Sequence, residues 1–210
     1  MIVSSSKIAR FFSQPCNFIV GASNVKALPN YFPHCEIAFI GRSNVGKSSL
    51  INTIFNNQHL AKVSKTPGRT QQINLFTVAP CLYIADLPGY GYANVSQSMI
   101  TKLSVLVESY FKHRQELQRV FLLVDARHGL KRSDIAMLEF FNHHTVCVQI
   151  VLTKIDKIKE EALVILQHDI QSIVCRYSFC NDTILTTSKT SQQSVHAIRQ
   201  EIYNISHMSS

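Results

Sequence analysis

The chain has 210 residues, 46% hydrophobic and 16% charged, with a formal net charge of +8. The apolar content suffices for a sizeable core in one α/β domain with a tail, and no apolar run approaches the length of a membrane span, so the composition argues against a membrane protein. Residues 1–7 form neither a signal peptide nor a myristoylation site, and six scattered cysteines without a Cys-x-x-Cys pair indicate a reducing, cytoplasmic location.

The positive charge is concentrated in the first two thirds of the chain. Residues 1–72 hold eight Lys and Arg against one acidic residue, whereas residues 133–210 hold six against eight. Between these segments, residues 102–132 hold seven against three. This asymmetry predicts a polyanionic partner for the basic portion, although part of the charge is needed by bound nucleotide.

Apolar periodicity predicts strands and helices in alternation. Residues 1–34 carry three prolines, and we expect them to form an extension packed on the domain. Six strands are predicted, at 35–40, 73–78, 82–85, 120–124, 146–152 and 183–186. Five helices are predicted, at 50–55, 99–111, 133–141, 158–175 and 195–205, with Ser133 as the N-cap of the third.

This order of elements predicts an α/β fold with a doubly wound, mostly parallel six-stranded sheet and helices on both faces. A nucleotide is expected at the carboxyl ends of the strands. We divide the chain into an N-terminal extension at 1–34, a nucleotide-binding domain at 35–206 and a short tail at 207–210. The sequence has no internal repeat or low-complexity tract that would indicate a further domain.

The most specific motif follows the first predicted strand. It matches G-x-x-x-x-G-K-[ST] in full and reads Gly41-Arg42-Ser43-Asn44-Val45-Gly46-Lys47-Ser48-Ser49. A strand before it and a helix after it are the setting that a phosphate-binding loop requires. Its glycines let backbone N–H groups point at the β-phosphate, Lys47 reaches the β- and γ-phosphates, and the Ser48 hydroxyl ligates Mg²⁺.

A second motif ends the third predicted strand and reads Asp86-Leu87-Pro88-Gly89. Asp86 is expected to bind Mg²⁺ through water, because a carboxylate at this place faces the metal's water shell. The Gly89 backbone N–H is expected to sense the γ-phosphate. These four residues therefore complete the predicted phosphate and magnesium site from the neighbouring strand.

The segment at 61–72 is polar, contains Gly and Pro and lacks periodicity, which predicts a mobile loop. Thr70 is its expected second hydroxyl ligand of Mg²⁺, and Thr66, which precedes a proline and lies further from the next strand, is the alternative. Lys47, Thr70 and Gly89 are the candidate catalytic residues. The candidate nucleotide contacts in this loop are Gly68, Arg69, Thr70, Gln71 and Gln72.

Base recognition is assigned to Thr153-Lys154-Ile155-Asp156, which follows the fifth predicted strand. Asp156 can accept from both N1–H and the 2-amino group of guanine, whereas adenine has an acceptor at N1 and no 2-amino group. Two charge-assisted hydrogen bonds of ~1.5–3 kcal/mol each suffice for discrimination beyond about 100-fold. Lys154 is expected to pack along the purine. The segment expected to close over the base is Thr187-Ser188-Lys189.

Together these motifs closely resemble the EngB (YihA/YsxC) family of bacterial GTPases. The resemblance covers roughly residues 10–205 and rests on the motifs at 41–49, 64–71, 86–91 and 125–128. It implies a Ras-like GTPase that acts with the large ribosomal subunit or its precursor, in subunit assembly, and is needed for normal cell division and septation. The chain departs from the family at 187–189, which lacks a Ser-Ser opening, and at Ser194, where a glycine usually starts the last helix.

The resemblance also predicts how the enzyme works. Ras-like enzymes place a glutamine after Asp-x-x-Gly to orient water, but this chain has Tyr90, so we expect slow intrinsic hydrolysis. In the Era-like group an asparagine at the position of Asn44 marks potassium activation, which makes Asn44 a candidate K⁺ ligand. The alternative is that Asn44 only shapes the loop.

We expect a monomer that binds Mg²⁺ with GTP or GDP and makes no membrane contact. Its GTP form is expected to dock on ribosomal RNA and proteins through Lys62, Lys65, Arg69 and the segment 102–132. A nucleotide kinase would share the phosphate loop but has no use for Thr-Lys-x-Asp, and phosphoryl transfer to a nucleoside monophosphate would reveal it. An RNA-binding module with a structural nucleotide site is a third possibility, which turnover with and without ribosomal particles distinguishes.

Overall fold

A computed structural model describes residues 4–29, 35–62, 71–78, 81–91, 96–188 and 192–208. The helices are α1 (Ser5–Phe12), α2 (Lys47–Ile54), α3 (Gln97–His113), α4 (Arg132–His143), α5 (Glu160–Val174) and α6 (Gln192–Met208). The strands are β1 (Cys16–Ala22), β2 (Cys35–Gly41), β3 (Ile73–Val78), β4 (Leu82–Asp86), β5 (Leu117–Asp125), β6 (Val148–Thr153) and β7 (Leu185–Thr186). None of the described helices is long and apolar enough to cross a membrane.

The strands form one sheet in the order β1-β3-β4-β2-β5-β6-β7. At its centre β2 is parallel to β4 and β5, and β6 and β7 continue the parallel part. β3 is antiparallel to both of its neighbours, β1 and β4. The predicted α/β fold with a mostly parallel sheet is confirmed, but the predicted number of six strands was wrong, because the described residues form seven.

The additional strand is β1, which lies within the predicted N-terminal extension. It pairs with β3 from Cys16 opposite Val78 to Ala22 opposite Ile73. β1 forms an edge of the sheet, and Ala22 is its only fully buried residue, while Phe18 is 58% exposed. An edge strand with so little buried surface has no clear apolar alternation, which explains why the sequence pattern missed it.

The central strand β2 is buried along its whole length, and its residues alternate between two apolar cores. Ile37 and Phe39 pack in the core with α1, α2 and α6, whereas Ala38 and Ile40 pack in the core with α3, α4 and α5. α3 buries Leu103, Leu106, Tyr110 and Phe111, and α6 buries Val195, Ile198, Ile202 and Ile205. Burial on both faces fixes β2, and therefore also fixes the loop that follows it.

The five predicted helices are present, with bounds shifted by one to three residues, and two of these shifts have a clear structural cause. α4 begins at Arg132 and not after Ser133, because the Asp134 carboxylate accepts a hydrogen bond from the Lys131 backbone N–H at 2.7 Å and closes the first turn. α6 continues to Met208, since its buried face extends into the last turn, and the domain boundary predicted at 206 falls inside this helix.

A buried ion pair ties the amino end of β2 to the end of α3. Arg114 donates to both carboxylate oxygens of Glu36, and the Tyr110 hydroxyl donates to the same carboxylate. Arg114 also donates to the Pro29 carbonyl at 2.9 Å. The Glu36 and Arg114 side chains are 1% and 5% exposed, so water cannot take the place of either partner.

We predict that Arg114→Met lowers the free energy of unfolding by roughly 3–5 kcal/mol, because it leaves the Glu36 carboxylate buried without its partner. Urea unfolding followed by circular dichroism measures the change. Lys112→Met is the matched control, since it breaks an exposed pair with Glu108 on the same helix and should shift the midpoint little. Equal shifts of the unfolding midpoint in the two variants would contradict the idea that burial makes the Glu36–Arg114 pair important.

Candidate functional site

The phosphate loop connects β2 to α2. Gly46 has φ +105°, a left-handed conformation that favours glycine, and it immediately precedes Lys47, the first residue of α2. A Cβ atom at Gly41 would lie 2.8 Å from the Leu123 carbonyl oxygen of β5, so only glycine fits between the two strands. The loop thus has a strand before it and a helix N-terminus behind it, which is the geometry of an anion-binding loop.

Lys47 and Asp86 form an ion pair where this loop meets β4. Lys47 is 8% exposed and Asp86, the last residue of β4, is 1% exposed. The pair arises because β4 lies beside β2, which brings the carboxylate next to the start of α2. The half-buried Ser48 follows Lys47, and hydroxyl and carboxylate oxygens are ligands that Mg²⁺ prefers. Ser48 and Asp86 therefore fit the predicted magnesium site chemically.

The segment after β4 runs alongside the phosphate loop. The Tyr90 N–H donates to the Gly41 carbonyl at 3.2 Å, and the Ser43 N–H donates to the Tyr90 carbonyl at 3.0 Å. The Ser43 hydroxyl donates to the same carbonyl at 3.3 Å. Gly89 therefore lies between Asp86 and Tyr90, whose backbone is hydrogen-bonded to the phosphate loop, and it is beside the place predicted for the phosphates.

The Tyr90 side chain is held by α4. Its hydroxyl donates to Asp134 at 2.7 Å, and the other oxygen of Asp134 accepts from the Lys131 N–H. Burial, together with the charge of Asp134, raises the pKa of the Tyr90 phenol far above its ordinary value. Tyr90 is therefore a neutral donor to α4. No local sequence pattern predicts this contact, because it joins residues that are 44 positions apart.

The predicted base-binding segment contacts the phosphate loop through two hydrogen bonds. Thr153, the buried last residue of β6, donates from its hydroxyl to the Val45 carbonyl at 2.8 Å. Lys154 has φ +59° and donates from Nζ to the Asn44 carbonyl at 2.7 Å. The Asp156 side chain is only 16% exposed. The segment thus extends from the phosphate loop to a partly covered carboxylate.

The predicted base-closing segment lies beside it. Thr187 is 5% exposed, and its N–H donates to the Leu152 carbonyl at 2.7 Å. Its carbonyl accepts from the Ile155 N–H at 3.4 Å. Ser188 follows and is half-buried, whereas Lys189 lies outside the described residues. The Thr187 backbone is therefore hydrogen-bonded to Leu152, just before the base-binding segment, and to Ile155 within it.

Asp125, at the end of β5, has no predicted role beyond its place in the family motif at 125–128. It accepts from Lys154 Nζ at 2.8 Å and from Nη2, Nε and the backbone N–H of Arg127 at 2.7, 2.9 and 3.1 Å. Burial alone would raise the pKa of Asp125, but these hydrogen bonds outweigh it and hold the pKa well below its ordinary range. Asp125 is therefore ionised at neutral pH.

The structure brings together the predicted segments 41–49, 86–89, 153–156 and 187–188. Gln71 and Gln72 are exposed ahead of β3, and the Gln72 amide donates to the Asn74 side chain at 3.0 Å. Both glutamines thus lie at the edge of the assembled segments. The remaining predicted contacts in the loop fall outside the described residues, and these are Lys65, Thr66, Gly68, Arg69 and Thr70.

Comparison with known sequences finds relatives that cover most of the chain. Residues 36–154 match a family model described as 50S ribosome-binding GTPase. The chain is 42% identical over 196 residues to "Probable GTP-binding protein EngB" of Caulobacter vibrioides, an alignment that covers 93% of this chain and 85% of the relative. It is 41% identical over 184 residues to the protein of the same name from Rickettsia felis, with coverages of 88% and 85%.

Solved structures share the fold. The crystal structure of a probable GTP-binding protein engB matches with a TM-score of 0.65 and 19% identity, over 83% of this chain and 100% of that one. Era in complex with MgGDPNP and nucleotides 1506–1542 of 16S ribosomal RNA matches with a TM-score of 0.62 and 18% identity, over 84% of this chain and 57% of that one. At these identities the likeness shows the fold alone, which is that of P-loop GTPases.

We predict that Asp156→Asn lowers GTP affinity by more than about 100-fold, because two charge-assisted hydrogen bonds to guanine are lost. The amide can instead donate to the 2-oxo group of xanthine, so affinity for xanthosine triphosphate should rise. Competition titrations with GTP, ATP and xanthosine triphosphate measure both effects. Asp169→Asn, the same change on an exposed residue of α5, is the control. Equal affinity of the unmodified protein for ATP and GTP would contradict the assignment.

Proposed function

The chain belongs to the EngB family of GTP-binding proteins and is a GTPase, and we propose that it acts as a switch in assembly of the large ribosomal subunit. The observation that carries the proposal is the match of residues 36–154 to ribosome-binding GTPases. Subunit assembly, in the cytoplasm, is then the route by which it supports normal cell division and septation. Family membership favours this function over the nucleotide kinase considered from the sequence.

In this proposal the triphosphate exchanges the partners of the buried Lys47–Asp86 pair. Lys47 would donate to the β- and γ-phosphate oxygens, and Asp86 would accept from water bound to the metal ion. Ser48 and Thr70 supply hydroxyl ligands, and Mg²⁺, when bound, neutralises charge on the phosphates. Both buried charges keep a partner throughout, so the exchange avoids the large cost of an isolated buried ion.

We propose that guanine lies between the base-binding and base-closing segments. Asp156 accepts from the N1–H and 2-amino groups, the Lys154 stem covers one side of the purine, and the backbone around Thr187 and Ser188 covers the other. The burial of Thr187 and the low exposure of the Asp156 carboxylate support this arrangement. A partly buried carboxylate discriminates more strongly than an exposed one, because water replaces its lost partners less well.

Slow intrinsic hydrolysis is part of the proposal. The position after Asp-x-x-Gly holds Tyr90, whose hydroxyl is already bonded to the buried Asp134. A phenol engaged in this way is unavailable to orient the attacking water. Rapid turnover therefore requires water to be positioned by other groups or by the ribosomal partner, and Gly89 and Thr70 are left to sense the γ-phosphate.

The structure narrows the basic surface that could meet ribosomal RNA. In the segment 102–132, Arg114 is buried against Glu36, and Arg119 is paired with Glu201. Those two cations are committed to the fold and drop out of the proposed docking surface. The exposed cations of this segment with no ion pair among the described residues are Lys102, Lys131 and Arg132, and the exposed Lys62 in the segment after α2 also has none. We propose that they contact phosphate groups of the RNA.

We predict that the GTP form sediments with the large ribosomal subunit more strongly than the GDP form, and that its affinity falls linearly in a log–log salt titration. Each phosphate contact adds about 0.7–0.9 to the slope. The double variant Lys131→Gln/Arg132→Gln should weaken binding and flatten the slope by nearly two contacts. Lys7→Gln/Arg10→Gln, which removes two exposed cations from α1, is the matched control.

Affinity for the ribosomal subunit that depends neither on the bound nucleotide nor on the salt concentration would refute docking through RNA phosphates. The GTPase activity would remain unaffected by that result, so the two parts of the proposal are tested separately. If the control variant on α1 flattens the slope as much as the variant at the start of α4, the docking surface lies elsewhere on the molecule.

Potassium activation is a second part of the proposal. Asn44 is exposed and has φ +63°, so its side chain is accessible at the phosphate loop. We predict faster turnover in potassium than in sodium at matched ionic strength, by less than the about 10³–10⁵-fold effect of an arginine finger. Asn44→Gly keeps the left-handed backbone without the side-chain oxygen and should abolish the difference. Equal turnover of the unmodified protein in both salts would mean that Asn44 only shapes the loop.

A further inference from the structure

Asp125 and Arg127 belong to the family motif at 125–128, and neither takes part in the phosphate or base contacts proposed above. We infer that Asp125 is a positioning residue that holds Lys154 in the guanine site, and that Arg127 holds Asp125 in place. This inference rests on the proposed base site. It concerns the retention of nucleotide and is independent of the ribosomal partner.

Lys154 is fixed at both ends of its side chain. Its left-handed backbone sets the direction of the stem, while its Nζ donates to the Asn44 carbonyl at 2.7 Å and to Asp125 Oδ2 at 2.8 Å. The side chain is 28% exposed. A stem held in this way offers its methylene groups to a purine with little further loss of side-chain entropy. Without Asp125, the ammonium would keep only the carbonyl of the phosphate loop.

Arg127 fixes the carboxylate of Asp125 in turn. Its guanidinium donates to both oxygens of Asp125, and its backbone N–H donates to Oδ1. Oδ2 therefore receives Arg127 and Lys154 together, in one orientation of the carboxylate. The guanidinium also balances a negative charge that would otherwise repel phosphates in the neighbouring loop. The Asp125 side chain is 12% exposed and the Arg127 side chain 44%, so the pair extends from a largely buried carboxylate to a guanidinium at the surface.

Charge alone predicts the opposite effect of removing Asp125. If the carboxylate acted only through its field, its removal would raise the positive potential near the phosphate loop, and bound GDP would leave more slowly. If it only stabilised the fold, its removal would lower the unfolding temperature regardless of Lys154. Positioning instead predicts faster release of GDP, and only while Lys154 is present.

Asp125→Asn tests these differences, because it keeps the shape of the side chain while removing the charge and one acceptor. We expect a fluorescent GDP analogue, chased by excess GDP, to leave about 10-fold faster, since a charge-assisted hydrogen bond to Lys154 is lost. In a Lys154→Met background the same substitution should give no further acceleration. Asp169→Asn on α5 is the matched control and should leave release unchanged.

Arg127→Gln is the second variant, and its partial exposure makes it tolerable to the fold. We expect it to accelerate release by a smaller factor, and to add nothing once Asp125 is Asn. Unchanged or slower release from Asp125→Asn would overturn the inference, as would an acceleration that persists in the Lys154→Met background. If Asp125→Asn does not fold, Arg127→Gln decides, and unchanged release from it overturns the inference.

Asp156→Asn in the same release assay separates this inference from the base site on which it rests. Faster release from Asp156→Asn with unchanged release from Asp125→Asn would leave the base site standing and reject the positioning role. Unchanged release from both variants would reject the base site itself. The expected result is faster release from both, with the larger effect in Asp156→Asn because it loses direct contacts to guanine.

Discussion

The phosphate loop keeps its shape because neighbouring segments bind its backbone groups. The Val45 carbonyl accepts from Thr153 and the Asn44 carbonyl accepts from Lys154, while the segment after β4 pairs with the start of the loop. A turn with left-handed residues at Asn44 and Gly46 satisfies few of its own backbone groups, so these outside bonds are needed to avoid buried unpaired atoms. The proposed base site and the proposed γ-phosphate sensor therefore depend on the same short stretch of backbone.

Two buried ion pairs at opposite ends of β2 serve different purposes. At the amino end, Glu36 is surrounded by donors from Arg114 and Tyr110, and nothing in the proposed cycle calls for these bonds to break. At the carboxyl end, Lys47 and Asp86 bond to each other and to no other described side chain. A buried pair with few additional hydrogen bonds is weakly stabilising. The pair with more hydrogen bonds thus has a structural role, and the pair with fewer is the one that the proposal assigns to exchange with phosphate and metal.

Motifs of fixed local spacing could be predicted from the sequence, because a strand, a turn and a helix start within about ten residues define their geometry. This holds for the phosphate loop, for 86–89 and for 153–156. The Asp125–Lys154 and Tyr90–Asp134 contacts join residues 29 and 44 positions apart, and they exist only because of the order of strands and helices. Strand order follows from packing of the whole chain, so a single sequence, read without an alignment, does not reveal these pairs. β1 could not be predicted for a different reason, because its position at the edge of the sheet leaves only one of its residues fully buried.

The edge position of β1 also sets how the sheet opens. Because its partner β3 comes far later in the chain, pairing the two strands closes a long loop. The entropy lost in closing it is offset by few contacts between residues close in sequence. With Ala22 alone fully buried, β1 should exchange its amide hydrogens with solvent before the central strands β2 and β5 do. Its departure would expose the edge of β3, while the strands that lead to the proposed nucleotide site, β2, β4, β5 and β6, remain paired with one another. Protection of the β1 amides from hydrogen exchange and retention of nucleotide can therefore change separately, although both depend on the same sheet.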